Sequence, residues 1–227
     1  MRRFSTRTLR RGRPRLRAGL LTLALLAAAG ALATDATAGG RVHARLTTPK
    51  PSKTKHPTLG NPKAPITVLV FADFQCPWSK RLNDRVLRPL VKSYGNKVRV
   101  VWRDFPLRFH RGALPAAIAA REVFRQKGNA AFWRFHALVY AHARQINEQQ
   151  LADWAQQVGA DRAKVLAALR TQAHKARVDA DIQAGKALGV RGTPSSFVYR
   201  TSAGVSTAQP VRGSRDYASF KAIVDRL

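Results

Sequence analysis

The stretch Ala64-Pro65-Ile66-Thr67-Val68-Leu69-Val70-Phe71-Ala72-Asp73-Phe74-Gln75-Cys76-Pro77-Trp78-Ser79 reads as a strand that runs into a helix. Ile66 to Phe71 is β-branched and apolar, long enough for a buried strand and too short for a helix. Asp73 to Pro77 breaks the pattern. Pro77 suits the first turn of a helix, where its missing N–H leaves no bond unmade. Beyond it Leu82, Val86, Leu87, Leu90 and Val91 form one apolar helical stripe, and Tyr94-Gly95-Asn96 ends it. Val98 to Trp102 supplies a second strand, so the order predicts a parallel β-α-β unit.

Outward from this unit, residues 113–189 read as helix almost throughout. Ala113–Gln126, Ala130–His142, Glu148–Val158, Asp161–Gln172 and His174–Leu188 all carry helical apolar spacing, punctuated by Gly128, Gly159 and Gly189. Ser196–Tyr199 is a further strand candidate, Gly204 a turn, and another strand lies near Val211. Ser214 is a plausible N-cap for a last helix through Phe220, Ile223, Val224 and Leu227. The class is α/β, ordered β-α-β, a helical insertion at about 110–189, then β-β-α. Residues 64–227 make one domain of ordinary size.

Towards the amino terminus the composition changes. Eight arginines fall within residues 1–17, the apolar run Gly19–Ala33 follows, and small-residue cleavage patterns stand at Ala31-Leu32-Ala33 and Ala36-Thr37-Ala38. These are the parts of a secretory signal, so residues 1–38 are expected to be removed on export. A run of this length is too short to cross a bilayer comfortably, so an uncleaved membrane anchor is the less favoured alternative and no stable membrane span is expected after cleavage. Residues 39–63, rich in Pro, Thr and Lys, read as a flexible basic linker. The mature protein is then extracytoplasmic, in the periplasm, where disulfides persist.

Charge and cysteine count bound the function. The 227 residues hold 41 Lys+Arg and 12 Asp+Glu, a formal charge of +29. Residues 1–38 hold eight of the bases and one acid, which leaves +22 on the rest. A polyanion is therefore a legitimate partner, yet no zinc spacing, basic heptad helix or aromatic-basic RNA signature is present, and no specific nucleic-acid partner is expected. The single cysteine excludes an internal disulfide framework, a cysteine zinc cluster and a self-contained dithiol centre.

An exported protein with one unpaired cysteine points to intermolecular pairing or to a reactive thiol. Cys76 stands where a strand ends and a helix begins, so free N–H groups and the helix dipole favour its thiolate. Lys80 and Arg81 add positive charge, and Ser79 lies one turn on, placed to donate a hydrogen bond back to the sulfur. The alternative is that Cys76 is a small buried residue with no chemistry. Trp78, beside the thiol, offers an apolar contact for a substrate. Gly192-Thr193-Pro194 precedes the strand at 196–199, and a proline there lies at an edge or adopts an unusual geometry such as a cis bond.

The run 64–79 resembles the active-site region of DsbA-like thioredoxin-fold thiol–disulfide oxidoreductases. Arg103-Asp104-Phe105-Pro106-Leu107 with His110, Ala131-Phe132-Trp133, Leu188-Gly189-Val190 and Gly192-Thr193-Pro194 are similar to that family as well, in the right order. The resemblance implies a thioredoxin-like fold of DsbA type with a helical insertion. It also implies that Pro194 is cis and faces Cys76, with the Thr193 backbone offering hydrogen bonds to an extended substrate. Two departures stand out. Family members normally carry a second cysteine where this chain has Ser79, and many carry an acid where it has Val70.

Without a resolving thiol, a dithiol oxidase cycle is excluded on stoichiometry, and the expected activity is disulfide isomerisation or monothiol reduction through a mixed disulfide on Cys76. No bound cofactor is expected; glutathione or another small thiol would serve as resolving co-substrate. Partners would be cysteine-containing exported proteins and a thiol reductant. A non-catalytic thioredoxin-fold binding protein or chaperone is the competing reading. The histidines at 110, 136, 142 and 174 lack metal-ligand spacing and read as surface or hydrogen-bonded core residues, and Trp102, Trp133 and Trp154 read as core.

Overall fold

A computed structural model describes residues 56–227. The expected signal segment and residues 39–55 lie outside the described residues. Five strands form one sheet: β1 (Thr58–Gly60), β2 (Ile66–Ala72), β3 (Val98–Asp104), β4 (Ser195–Arg200) and β5 (Gln209–Arg212), in the order β1-β3-β2-β4-β5. β2 and β3 are parallel, with Ile66 opposite Val98 and Ala72 opposite Asp104, as the strand–helix–strand reading requires. All other neighbours are antiparallel. The β-α-β, helical, β-β-α order is thus realised as a thioredoxin-like α/β fold of the DsbA type.

The central strand β2 is buried along its whole length, so both faces of the sheet are covered. Because side chains alternate across a strand, Ile66, Val68, Val70 and Ala72 point into one layer and Leu69 and Phe71 into the other. The first layer holds the larger core, built with Trp102, Leu82, Leu90, Phe132, Phe135 and Phe220. Each such side chain contributes about 1.5–3 kcal/mol on burial. The second layer is smaller: Leu69 and Phe71 meet Phe105, Val190 and Phe197.

The helix after Cys76 has three segments: α1 (Pro77–Leu82), a π turn (Asn83–Leu87) and α2 (Arg88–Tyr94). Pro89 accounts for the wider turn. It has no N–H to give to the preceding turn, and the Arg88 N–H bonds five residues back to Asn83 O instead of four. The insertion comprises α3 (Ala113–Ala141), α4 (Glu148–Gln157), α5 (Arg162–Thr171) and α6 (Lys175–Ala187). α3 is interrupted at Gly128, whose φ of 71° leaves the helical region, so the two helices expected there meet at a kink. On α6, Gly185 faces the sheet, and a Cβ would stand 2.9 Å from the Phe105 ring; only glycine admits this approach.

Two local expectations are corrected. Thr58–Gly60 forms an edge strand on β3 where a flexible lead-in through residue 63 was expected, with Thr58 opposite Val101. Three residues carry too little alternation to announce a strand. The last helix, α7 (Tyr217–Val224), is capped by Asp216, whose carboxylate accepts the Ser219 N–H, and not by Ser214. Both are good capping residues, and the start of the helix decides between them.

Candidate functional site

Cys76 is the N-cap of α1: its backbone is extended, and its carbonyl accepts from the Ser79 and Lys80 N–H groups, both at 3.1 Å. The loop before it is held by Asp73, a buried carboxylate at the carboxyl end of β2. Asp73 Oδ1 accepts from the N–H groups of Gln75 at 2.7 Å and Cys76 at 3.2 Å. Its Oδ2 accepts from Leu107 N–H at 2.8 Å and lies 2.8 Å from His110 Nδ1. Gln75 Oε1 in turn accepts from Gly112 N–H at 2.6 Å. The Cys76 loop and residues 105–112 are therefore one hydrogen-bonded unit. Sequence reasoning missed Asp73, because a lone acid after a strand reads as a turn former.

The thiol Sγ donates to Thr193 O at 3.3 Å, and the Thr193–Pro194 peptide bond is cis. Cys76, Thr193 and Pro194, far apart in the chain, thus meet. Cys76 is 4 % exposed, its sulfur turned to a carbonyl and not into hydrocarbon. Pro77 begins α1, and Trp78 is 55 % exposed with the Arg81 guanidinium 5.7 Å above its ring.

Ser79 does not do what its spacing suggested. Its hydroxyl accepts a long 3.5 Å bond from Asp73 N–H, and among the described residues no hydrogen bond joins it to the sulfur. Being buried, it points inward towards Tyr140. Burial pushes the Tyr140 phenol well above its ordinary value, Asp73 and Cys76 push the same way, and the Ser79 hydrogen bond opposes them. The phenol therefore stays neutral behind the thiol. Lys80 is likewise diverted, pairing with Asp84 one turn on.

Val70 faces the larger core opposite Ser196 on β4, and the Ser196 hydroxyl is buried without a partner among the described residues. Where the family resemblance implies an acid, this chain has a hydrocarbon beside a buried hydroxyl with no partner among the described residues. Behind the Cys76 loop, Phe74, Trp102, Trp133 and Tyr140 surround His136 at ring separations of 5.5, 4.8, 4.8 and 4.5 Å. His136 is fully buried, and neither nitrogen has a hydrogen-bond partner among the described residues, contrary to the expected satisfied histidine. Burial, with a smaller effect from Arg88, holds it well below its ordinary value, hence neutral. The three tryptophans expected in the core are there. Among the described residues no group of His, Cys, Asp and Glu is arranged to hold a metal ion.

This arrangement can present a thiol at a helix start beside a backbone carbonyl preceding a cis proline, with no second thiol in reach. Comparison with known proteins bears on the family and the fold. The thioredoxin family model matches residues 52–226. The chain is 34 % identical over 140 residues to a Na(+)/H(+) antiporter of Salinispora tropica, covering 61 % of this chain and 21 % of the antiporter. It thus spans about a fifth of the length of that relative. To the disulfide bond formation protein D of Bacillus subtilis it is 23 % identical, covering 78 % of this chain and 79 % of that protein. Among solved structures, oxidised BdbD of Bacillus subtilis aligns with a TM-score of 0.66 at 22 % identity, covering 75 % of this chain and 91 % of the other. A thioredoxin-like oxidoreductase from Silicibacter pomeroyi aligns with a TM-score of 0.63 at 29 % identity and the same coverages. The chain belongs to the thioredoxin family and has the DsbA-like form of its fold.

Proposed function

We propose that the protein is an exported thiol–disulfide oxidoreductase that works through Cys76 alone. The observation that carries this reading is the contact between Cys76 Sγ and Thr193 O beside cis Pro194, with serine in place of the second cysteine of the motif. Relatives named as oxidoreductases and disulfide-forming proteins support the class. The arginine-rich, then apolar amino-terminal segment supports export, and among the described residues no helix is long and apolar enough to cross a membrane.

The chemistry balances without a cofactor. The Cys76 thiolate attacks one sulfur of a substrate disulfide; a Cys76–substrate S–S bond forms, the substrate S–S bond breaks, and the other sulfur leaves as thiolate and takes a proton. Attack by a second substrate cysteine then returns Cys76 and moves the disulfide with no net electron transfer. Attack by small thiols such as glutathione instead returns Cys76 with the substrate reduced and two thiols joined. Thr193 and Pro194 line the path of the incoming segment, and Trp78 gives it an apolar footing. Pro77 starts the helix that presents the sulfur. Ser79, lacking a low-pKa thiol, leaves the mixed disulfide unresolved from within.

The low exposure of Cys76 favours one second reading, a binding protein or chaperone whose thiol is idle. Reactivation of a scrambled multi-disulfide protein, with and without glutathione, separates the two. The proposal expects reactivation that needs Cys76 and is lost in Cys76→Ala; a Cys76→Ala protein as effective as the parent supports the binding reading.

A further inference from the structure

The rim around Cys76 carries charge that thiol exchange itself does not require. Arg191 and Arg212 line a groove of ≈ 270 Å³ over Thr193, Pro194 and Gly213. A second hollow of ≈ 310 Å³ is lined by Arg81, Arg215 and Asp216. The backbone joins them: Gly213 N–H donates to Pro194 O at 2.9 Å, and Ser214, the next residue, lines the second hollow. Arg108 and Arg111 flank Phe109 on the loop tied to Asp73 and Gln75.

All six arginines are exposed, and among the described residues none pairs with a carboxylate. Of the carboxylates near this rim, Asp84 is paired with Lys80, while Asp216 keeps its charge at the start of α7 and partly offsets the adjacent Arg215 in the second hollow. Among the described residues some exposed bases elsewhere have an acid one turn away, as Lys175 does with Asp179 and Lys221 with Asp225, while others, such as Arg170, Lys186 and Arg200, stand apart from any acid and away from the thiol. A second observation coincides. Among the described residues the exposed large hydrophobic side chains are Trp78 at 55 % and Phe109 at 75 %, both on the segments bracketing the thiol.

We propose that this rim selects polypeptide segments in which the reacting cysteine is flanked by Asp or Glu, the carboxylates meeting the unpaired arginines and an adjacent apolar side chain resting on Trp78 or Phe109. The proposal rests on the mixed-disulfide reading and names its substrate class. Charges held within a Debye length of several like-signed guanidinium groups raise encounter rates steeply at low salt, so two flanking carboxylates are worth about tenfold in rate.

The test uses three peptides, each with one cysteine capped as its neutral 2-pyridyl disulfide and flanked by two Glu, two Gln or two Lys. Attack by Cys76 forms the enzyme–peptide S–S bond and expels 2-thiopyridone, whose absorbance gives the rate. The expected order is Glu, then Gln, then Lys, with about tenfold between Glu and Gln at low salt, shrinking in 0.5 M salt. Arg191→Glu with Arg212→Glu shrinks the advantage of the Glu peptide to less than about threefold, and Arg170→Glu on α5 leaves it unchanged. Equal rates for all three peptides overturn the proposal and leave the mixed-disulfide reading standing. No adduct with any peptide overturns both. Binding of the protein to phosphatidylglycerol vesicles with no advantage for the Glu peptide assigns the rim to a lipid surface and also overturns the proposal.

Discussion

Two buried carboxylate clusters sit at the carboxyl ends of the neighbouring parallel strands, and they are built on opposite principles. At the end of β2, Asp73 takes its hydrogen bonds from three backbone N–H groups and His110. At the end of β3, Asp104 and Asp181 of α6 share the buried Arg121 guanidinium, and Asp181 also binds Arg103 at 2.7 Å. Trp102 Nε1 donates to Asp104 at 2.7 Å. The first cluster fixes a loop; the second uses full charges to clamp α3 and α6 to the sheet. The difference teaches that burial of an acid says little about chemistry until its donors are named. Backbone donors orient a thiol-bearing loop, whereas guanidinium donors fasten layers.

The largest expected effect breaks the second cluster. Arg121→Met leaves two carboxylates buried without their shared cation and should cost about 3–5 kcal/mol in denaturant unfolding. Asp73→Asn tests the first. It keeps one acceptor but turns an amide donor towards Leu107 N–H or His110, for an expected loss of about 1–3 kcal/mol. Because residues 105–112 are then released, adduct formation with peptide disulfides should fall while alkylation by a small neutral reagent stays close to the parent rate. Equal losses in both assays would show that Asp73 acts on the thiol and not on the loop.

How much of this was legible beforehand follows the same division. The apolar run 66–71 and Pro77 announced strand and helix start because local pattern and tertiary role coincide there. The helices of the insertion, α3 with its break at Gly128 and then α4, α5 and α6, were legible from apolar spacing for the same reason. Asp73 was not, since its role depends on Leu107 and His110, more than thirty residues away. Nor was the inward turn of Ser79, which spacing alone places one turn from the sulfur but which packing gives to Asp73 and Tyr140. The π turn depends on Pro89 inside an otherwise regular apolar stripe, and periodicity does not register one extra residue.

Smaller effects sharpen the comparison. His136 sits among aromatic rings with both nitrogens unpartnered among the described residues, so His136→Phe should raise stability by about 1 kcal/mol, read from the denaturant midpoint. A loss instead would mean that the box does not accept the larger ring. Glu122 on α3 gives the acid-side slope. Burial pushes its carboxyl up, but hydrogen bonds from Arg125, His174 and Gln126 prevail and hold it at about 2, against 4.5 ordinarily. A carboxyl depressed on folding contributes stability that is complete above 4.5 and is lost as pH falls towards 2. Glu122→Gln should therefore flatten the stability profile between those values and leave its shape at neutral pH unchanged.

The central claim is covalent, and intact mass spectrometry reads it most directly. The folded protein, incubated with a disulfide-bonded substrate and then acid-quenched, should carry one substrate chain on Cys76 that persists until a small thiol is added. In Ser79→Cys the adduct should instead be short-lived, and an internal disulfide should take its place. A folded parent protein that stays unmodified, while the unfolded chain reacts, would contradict the account.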